Sequence, residues 1–333
     1  MNQPHSQSAG LRSLLARHEV VLFIVLVLEV LLFHTLGRRF LTADNVANIV
    51  RQSVEIGLLA LVMTPVILTG GIDLSVGSLL GLCAVAFGML WKDCGVTPWL
   101  AALGAIGIGA LGGRVNALLI ARLGLPPLIV TLGTFSLFRG LAEALTGGTR
   151  SFTGFPESFL ALGNGFLLGV PIQAWLFVIV AAGVWLLVHR TTFGRSFRAI
   201  GFAPEGARYA GLPVERRLTF AYTLAGAVAG LAAVIFVSRV TEARANAGLG
   251  YELAAITAVV LGGTSIFGGV GSVCGTLLGV AAVAVLGNGL SRIVALSAVS
   301  RELSGMLTGA LLLLALAAGA LSRHLAARAS RQR

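Results

Sequence analysis

The chain has 333 residues, of which 56% are hydrophobic and only 11% are charged, and its mean hydropathy is +0.93. Because soluble domains carry about 25% charged residues, this composition excludes a soluble enzyme or binding domain and indicates a polytopic membrane protein. The net charge of +11 does not favour nucleic-acid binding, since the arginines lie at the ends of apolar segments. Such a placement is typical of membrane topology signals.

The polar start of the chain, residues 1–19, contains Arg12 and Arg17 and is predicted to be a cytoplasmic segment. Val20–Leu36 is longer than the apolar part of a signal peptide. It is followed by Gly-Arg-Arg-Phe, which does not resemble a cleavage site. The sequence therefore predicts an uncleaved first span.

The apolar segments predict about ten transmembrane helices in one membrane domain, residues 20–321, each near the ~20 residues that cross a bilayer. The predicted spans are 20–36, 46–69, 74–91, 97–113, 125–145, 171–189, 217–237, 252–268, 273–290 and 303–321. If the chain starts in the cytoplasm, residues 114–124, 190–216 and 269–272 and the basic tail, residues 322–333, share that side. This side then holds the majority of the arginines, as the positive-inside rule requires. We expect an all-α protein of the cytoplasmic (inner) membrane with both termini in the cytoplasm.

Two of the apolar regions are interrupted by glycine and hydroxyl residues. Thr69–Ser78 reads TGGIDLSVGS, and Gly262–Gly271 reads GGTSIFGGVG. Irregular backbone at membrane depth is tolerated only inside protein or beside a cavity, and paired glycine-broken segments mark the substrate path of some transporters. The fold prediction therefore includes glycine-broken segments among the helices.

Asp73 is the most informative acidic residue, because an ionisable group at this depth is costly and is usually functional or paired. Two interpretations stay open: its carboxylate caps the helix that begins near Leu74, or it takes part in transport. Neutral hydrogen-bonding side chains nearby suit a polyhydroxylated ligand, although most such hydroxyls bond their own helix. The candidate translocation path comprises Asp73, Ser75, Asn116, Thr131 and Thr134.

The longest charged interruption is the segment of residues 190–217, which holds six arginines and two glutamates. Within it, residues 203–210 are predicted to form a short helix. Pro204 suits the first helical turn, Glu205 lies near the positive helix N-terminus, and Gly211 with Pro213 ends the helix. On charge alone, a loop that only anchors topology is the simpler interpretation. A short helix at the membrane face is also what contact with a soluble partner requires.

Recognisable catalytic motifs are absent from the sequence. The sole lysine, Lys92, is followed by Asp93, so there is no Gly-Lys-Ser/Thr phosphate loop, and the chain is not expected to hydrolyse ATP. No H-E-x-x-H or G-x-S-x-G motif occurs, and the five scattered histidines do not indicate a metal site. Gly107–Gly112 fits G-x-G-x-x-G but lies inside one apolar run, which predicts close helix packing instead. We expect neither enzymatic activity nor a bound cofactor.

Four segments together resemble the permease subunits of bacterial carbohydrate ABC importers of the ribose, xylose, arabinose and rhamnose type, with the autoinducer-2 permease as a close relation. They are GGIDLSVGS (70–78), PPLIVTLGT (126–134), FGRSFRAIGFAPEGARYAGLPV (193–214) and YELAAITAVVLGGTSIFGGVGSVCGTLLG (251–279). The resemblance runs from about residue 42 to residue 321. It implies a ten-helix permease fold, a second permease copy or paralogue, a cytoplasmic ATPase that binds ATP and Mg²⁺, and a periplasmic sugar-binding protein.

The resemblance also identifies residues 190–217 as the loop that docks on the ATPase. The residues it assigns to ATPase coupling are Gly194, Arg195, Pro204, Glu205, Ala207, Arg208 and Gly211. Many relatives have Gly-Gly-Asn or Gly-Asp-Asn before the short helix, whereas this chain has Gly201-Phe202-Ala203, so the start of the helix is expected to differ.

Two functions from different classes follow. The first is the permease subunit of an ATP-driven importer, which moves a pentose, methylpentose or related small polyol-like solute from periplasm to cytoplasm. The second is a secondary transporter driven by an ion gradient, which glycine-broken helices and an intramembrane acid also fit. The segment of residues 190–217 favours the first, because a secondary transporter has no ATPase to contact.

Overall fold

A computed structural model describes residues 18–293, 303, 305–315 and 317, and in this part of the chain the fold is almost entirely helical. A two-residue antiparallel pair, β1 (Phe166–Leu167) and β2 (Val170–Pro171), is a small exception. The helices are α1 (His18–Leu36), α2 (Ala43–Leu68), α3 (Val76–Lys92), α4 (Pro98–Ala117), α5 (Pro127–Thr146), α6 (Glu157–Asn164), α7 (Ile172–Arg190), α8 (Thr192–Phe202), α9 (Pro204–Tyr209), α10 (Val214–Val240), α11 (Tyr251–Leu261), α12 (Val273–Arg292) and α13 (Gly305–Ala315). A π-helical turn, Leu118–Arg122, continues α4.

The predicted polytopic all-α fold is confirmed. Seven helices of the described residues are long and apolar enough to cross a membrane, namely α1, α2, α4, α5, α7, α10 and α12. Three shorter apolar helices, α3, α11 and α13, correspond to the remaining predicted spans. Each of the ten predicted spans thus coincides with an apolar helix in its described part, although several boundaries differ and residues 304, 316 and 318–321 of the last span lie outside the described residues.

The centre of the bundle is formed by α10, which packs face to face on α4 through glycines. A Cβ added at Gly113 would lie 2.1 Å from the carbonyl oxygen of Tyr222, and one added at Gly226 would lie 2.1 Å from that of Gly109. Such contact between backbones is possible only for small residues. The predicted packing role is confirmed for Gly109, whereas nothing lies within 4 Å of a Cβ added at Gly107.

Both glycine-rich interruptions coincide with helix ends, as predicted. The first lies where α2 ends at Leu68 and α3 begins at Val76, and the second begins where α11 ends at Leu261. The predicted span of residues 252–268 was too long by seven residues at its end. Residues 262–272 leave the helix because glycine-rich backbone turns there, with the Thr264 amide bonded back to the Val259 carbonyl at 3.2 Å.

A third non-helical stretch, residues 241–250, falls in the predicted connection between the spans 217–237 and 252–268, but its burial was not predicted. Ala243, Ala245 and Ala247 are buried in this non-helical stretch, which runs beside α3. Ala243 also pairs with Phe152 in an antiparallel bridge. Residues 241–250 are therefore packed within the protein, the condition under which irregular backbone is tolerated at membrane depth.

Residues 114–124, 190–216 and 269–272, which are predicted to lie on the cytoplasmic side, meet at one end of the bundle, while residues 1–17 and the tail, residues 322–333, lie outside the described residues. Gly201 of α8 touches both interruptions, since an added Cβ would lie 2.0 Å from the Leu68 carbonyl oxygen and 3.0 Å from the Gly268 Cα. The Gly269 amide donates to the Leu68 carbonyl at 3.0 Å. The opposite end holds the ion pair between Arg150 and Asp93. The shared end agrees with the predicted alternation of spans, while the side of the membrane it faces stays a prediction.

Candidate functional site

The segment of residues 190–217, which the resemblance predicts to dock on an ATPase and which is called the coupling segment from here on, contains two helices rather than the single short helix that was predicted. The second, α9, corresponds to the predicted helix and has Pro204 at its first position. The first, α8, begins after Thr191, whose hydroxyl accepts a hydrogen bond from the Phe193 amide at 3.1 Å. A hydroxyl at this position satisfies one of the free amides of the first turn.

The end of α9 is fixed by local backbone chemistry. Gly211 has φ of +79°, a left-handed conformation that glycine adopts without strain. Its amide donates to the Arg208 carbonyl at 2.9 Å, and the Leu212 amide donates to the Ala207 carbonyl at 3.0 Å. These two bonds form a Schellman motif. Gly211 is thus required for the shape of the coupling segment.

One face of the coupling segment is anchored on the bundle. Gly194 is buried in the turn from α7 to α8, where an added Cβ would lie 1.8 Å from the Val188 carbonyl oxygen. Ala207 is buried with Ile200 and Val214 in a small apolar cluster beneath α9. Gly194 and Ala207 therefore position the segment and are not available to a soluble partner.

The other face is exposed and carries two large aromatic side chains. Phe202 is 83% exposed and Tyr209 is 92% exposed, one before α9 and one at its end. Arg195, Pro204 and Glu205 are exposed as well. Sequence reasoning missed both aromatic residues. The signal was present, because each is a large aromatic residue beside a boundary of the predicted short helix, within a mostly polar segment.

Arg208, by contrast, has a partner in the same chain. Its Nε lies 2.9 Å from Glu215 Oε1, in an ion pair with about half of each side chain exposed. Exposed pairs of this kind contribute about 0–1 kcal/mol. The pair links α9 to the first turn of α10, so Arg208 orients α9, and Glu205 is the acidic side chain of α9 that is free to meet a partner.

Four of the five candidate path residues lie together in the interior. Asp73 Oδ1 accepts from the Ser75 amide at 2.8 Å and from the Ser75 hydroxyl at 2.6 Å. The Asn116 amide donates to Ser75 Oγ at 2.8 Å, and the Thr131 hydroxyl donates to the Ile72 carbonyl at 3.0 Å. These bonds fix residues 72–75 against α4 and α5. Asp73 bonds the amide of Ser75, the residue before α3, so it closes a turn ahead of the helix, and among the described residues no side chain caps the amides of α3 itself.

Thr134 is buried but bonds its own helix, with its hydroxyl 3.1 Å from the Val130 carbonyl oxygen. A cavity of about 350 Å³ lies elsewhere, between α2, α11, α12 and α13. Its polar lining consists of Gln52, Ser53, Thr257, Asn288 and Thr308, among apolar side chains. None of the five candidate path residues lines this cavity. Their assignment to the path remains a prediction.

Sequence reasoning also missed a buried acid beside the break at residues 241–250. Glu252, in the first turn of α11, is 6% exposed, and an added Cβ at Gly77 would collide with its Oε2. Arg139 of α5 donates to the carbonyls of Ala245 and Ala247. The first turns of α3 and α11 therefore meet in the interior. A carboxylate bonded to a backbone amide lies just before α3, at Asp73, and another lies in the first turn of α11, at Glu252.

The Asp73 network gives a direct test of the two interpretations of this residue. We expect Asp73→Ala to lower the free energy of unfolding by about 1–3 kcal/mol, because it leaves buried donors unpaired. Asp73→Asn keeps one acceptor oxygen and is expected to retain most of the folded yield. Detergent thermal unfolding and uptake are the measurements, with exposed Ser136→Ala as control. If Asp73→Asn folded normally but lost uptake, the charge itself would act in transport.

A family model described as "Branched-chain amino acid transport system / permease component" matches residues 45–316. The "Autoinducer 2 import system permease protein LsrD" of Photorhabdus temperata is 39% identical over 312 residues, 92% of each chain. Proteins of the same name from Yersinia pseudotuberculosis (serotype O:1b, strain IP 31758) and Enterobacter sp. (strain 638) are each 40% identical over 311 residues, 92% of this chain and 92% and 94% of their own lengths. The resemblance to importer permeases is thereby confirmed. The chain therefore belongs to the membrane permease family that this model describes.

Proposed function

We propose that this chain is the membrane-spanning subunit of an ATP-driven importer that moves a small sugar-type solute from the periplasm to the cytoplasm. A separate cytoplasmic ATPase binds ATP and Mg²⁺, a periplasmic binding protein delivers the solute, and a second permease copy or paralogue completes the pathway. Relatives named as autoinducer 2 import permeases support autoinducer 2 as the first solute to test, followed by pentoses and methylpentoses.

The observation that carries this proposal is the construction of the coupling segment. Its buried face is fixed to the ends of α2 and α7 and to residues 262–272, while its exposed face presents Phe202, Glu205 and Tyr209. Exposed aromatic side chains of this size are typical anchors of protein interfaces. A partner that pushes on α9 thus moves backbone that is in contact with both glycine-rich interruptions.

The two glycine-rich interruptions connect a movement of α8 to the interior of the bundle. Gly201 of α8 contacts Leu68 and Gly268, and the stretch that follows Leu68 holds the Asp73 network. A displacement of α8 therefore acts on the first turn of α3 and, through Gly77, on Glu252 of α11. This chain converts the nucleotide state of its partner into a change of access, without chemistry of its own.

Energy dependence tests the proposal. Cells expressing the importer should lose uptake of radiolabelled solute when ATP is depleted with the membrane potential maintained, and should keep it when a protonophore is added at constant ATP. The tagged chain should also retain an ATPase through affinity purification from native membranes in mild detergent. Uptake that survives ATP depletion but is lost with the protonophore would instead establish an ion-driven secondary transporter.

Charge variants distinguish a residue of α9 that binds the ATPase from a residue that only orients the helix. Glu205→Arg is expected to remove the co-purifying ATPase, because it reverses the free acidic side chain on the exposed face. The paired exchange Arg208→Glu with Glu215→Arg is expected to keep the ATPase, since it preserves the ion pair and the net charge. Immunoblotting of the eluates is the measurement. Loss of the ATPase in the exchange variant alone would assign the docking charge to Arg208.

A further inference from the structure

A cavity of about 630 Å³ opens beside the coupling segment, between the π-helical turn after α4 and the first turns of α10. Its lining includes three arginines from two separate parts of the chain, Arg114, Arg122 and Arg216. All three side chains are exposed. The π-helical turn ends at Arg122, so the change of helix geometry falls at one of the three cationic side chains.

The positive charge of this cavity is not balanced within the protein. Among the described residues, none of the three arginines forms an ion pair, and Glu215, the carboxylate in the lining, is engaged with Arg208. Thr223 also lines the cavity, and its Oγ1 is buried without a hydrogen-bond partner in the described part of the chain. Guanidinium groups are suited to phosphate, which they bind through charge-assisted and often bidentate hydrogen bonds.

The surface beside these donors is apolar. Leu111, Val115 and Leu118 are exposed at i, i+4 and i+7 on α4 and its extension, and Phe220 is exposed at the cavity wall. The side chains at this spacing share one helix face. A soluble anion makes no contact with this apolar strip. A ligand with a phosphate headgroup and hydrocarbon chains contacts both the arginines and the strip.

We propose that this cavity binds the phosphate headgroup of an anionic membrane phospholipid, with the acyl chains lying along the strip of Leu111, Val115 and Leu118. Basic pockets between helices at the cytoplasmic interface are a recurrent setting for such headgroups. The site adjoins Pro213 and Glu215, at the junction of α9 and α10. Bound lipid therefore lies against the junction of α9 and α10.

Native mass spectrometry of the full-length chain in detergent tests the proposal by titration with phosphatidylglycerol. Arg122→Gln and Arg216→Gln are each expected to weaken phosphatidylglycerol binding about fivefold, and the double variant about twenty-fivefold, in line with the loss of one basic contact each. Arg38→Gln, which removes an exposed arginine at the opposite end of the bundle, should leave binding unchanged. Phosphatidylcholine, whose choline cation offsets its phosphate charge, should bind more weakly than phosphatidylglycerol in the wild type and lose less binding in the variants.

Two results would overturn the lipid assignment. Equal retention of phosphatidylglycerol by the wild type and the double variant would exclude the cavity as its site. Displacement of phosphatidylglycerol by an equal concentration of inorganic phosphate would identify a soluble-anion site instead. Because the three arginines are exposed, the single variants are expected to elute as monodisperse protein. Loss of the co-purifying ATPase with unchanged lipid binding would reassign the arginines to the protein partner.

Discussion

Replacement of Phe202 and Tyr209 by alanine is expected to reduce the ATPase retained by this permease at least about thirtyfold. Each side chain is almost fully exposed at the end of the bundle that carries the coupling segment. Buried aromatic anchors at interfaces contribute about 2 kcal/mol or more each, and 2 kcal/mol corresponds to a factor of about 30 in affinity. The two substitutions remove no contact within the bundle core, so insertion and folding should be unchanged.

Quantitative immunoblotting of ATPase in the eluate measures this effect, and uptake should fall in parallel. Leu168→Ala is the matched control, because Leu168 is an exposed apolar side chain in the turn between β1 and β2, away from the coupling segment. Normal ATPase retention by the double alanine variant would show that the partner contacts another surface, and the assignment of the coupling segment would fail.

The second large effect is expected for Gly113→Val. A Cβ at this position would lie 2.1 Å from the Tyr222 carbonyl oxygen and 3.0 Å from the Gly226 amide nitrogen, so α4 and α10 must separate to accept it. Overpacking of cores commonly costs 1–3 kcal/mol. The cost here is expected at about 3 kcal/mol or above, because the obstruction is backbone and no side chain can rotate away.

Gly107→Val on the same helix is the control for this substitution. Both variants replace glycine by valine within a helix, so the change in helix propensity is the same. Nothing lies within 4 Å of a Cβ added at Gly107, so the collision is absent. Fluorescence-detected size-exclusion chromatography of the two variants gives the folded yield, and detergent thermal unfolding gives the difference in stability. Equal behaviour of the two variants would contradict the close packing of α4 on α10.

Local chemistry explains why α9 was predictable. Pro204, Gly211 and Pro213 act through their own backbone conformations, so the start and end of the helix can be inferred without any knowledge of its neighbours. The same holds for the apolar spans, since a run of about 20 apolar residues is long enough to cross a bilayer whatever packs beside it.

The burial of residues 241–250 was not predictable in this way, although the stretch falls between two predicted spans. Its carbonyls are satisfied by Arg139 and by Phe152, which lie about a hundred residues earlier in the chain. Nothing local in the sequence indicates that the stretch is buried. The same reason explains the missed Glu252, whose position against Gly77 depends on how α3 and α11 approach each other.

By itself, the sequence determined the class of the protein, its approximate spans, the two glycine-rich interruptions and the short helix of the coupling segment. These features depend on composition and on backbone preferences of neighbouring residues. Only the tertiary structure decided that Gly194 and Ala207 are buried while Phe202 and Tyr209 are exposed. It also joined Asp73, Ser75 and Asn116 into one network. Burial and hydrogen bonds of this kind join residues that are far apart in the chain. Helix packing decides which of these residues come into contact.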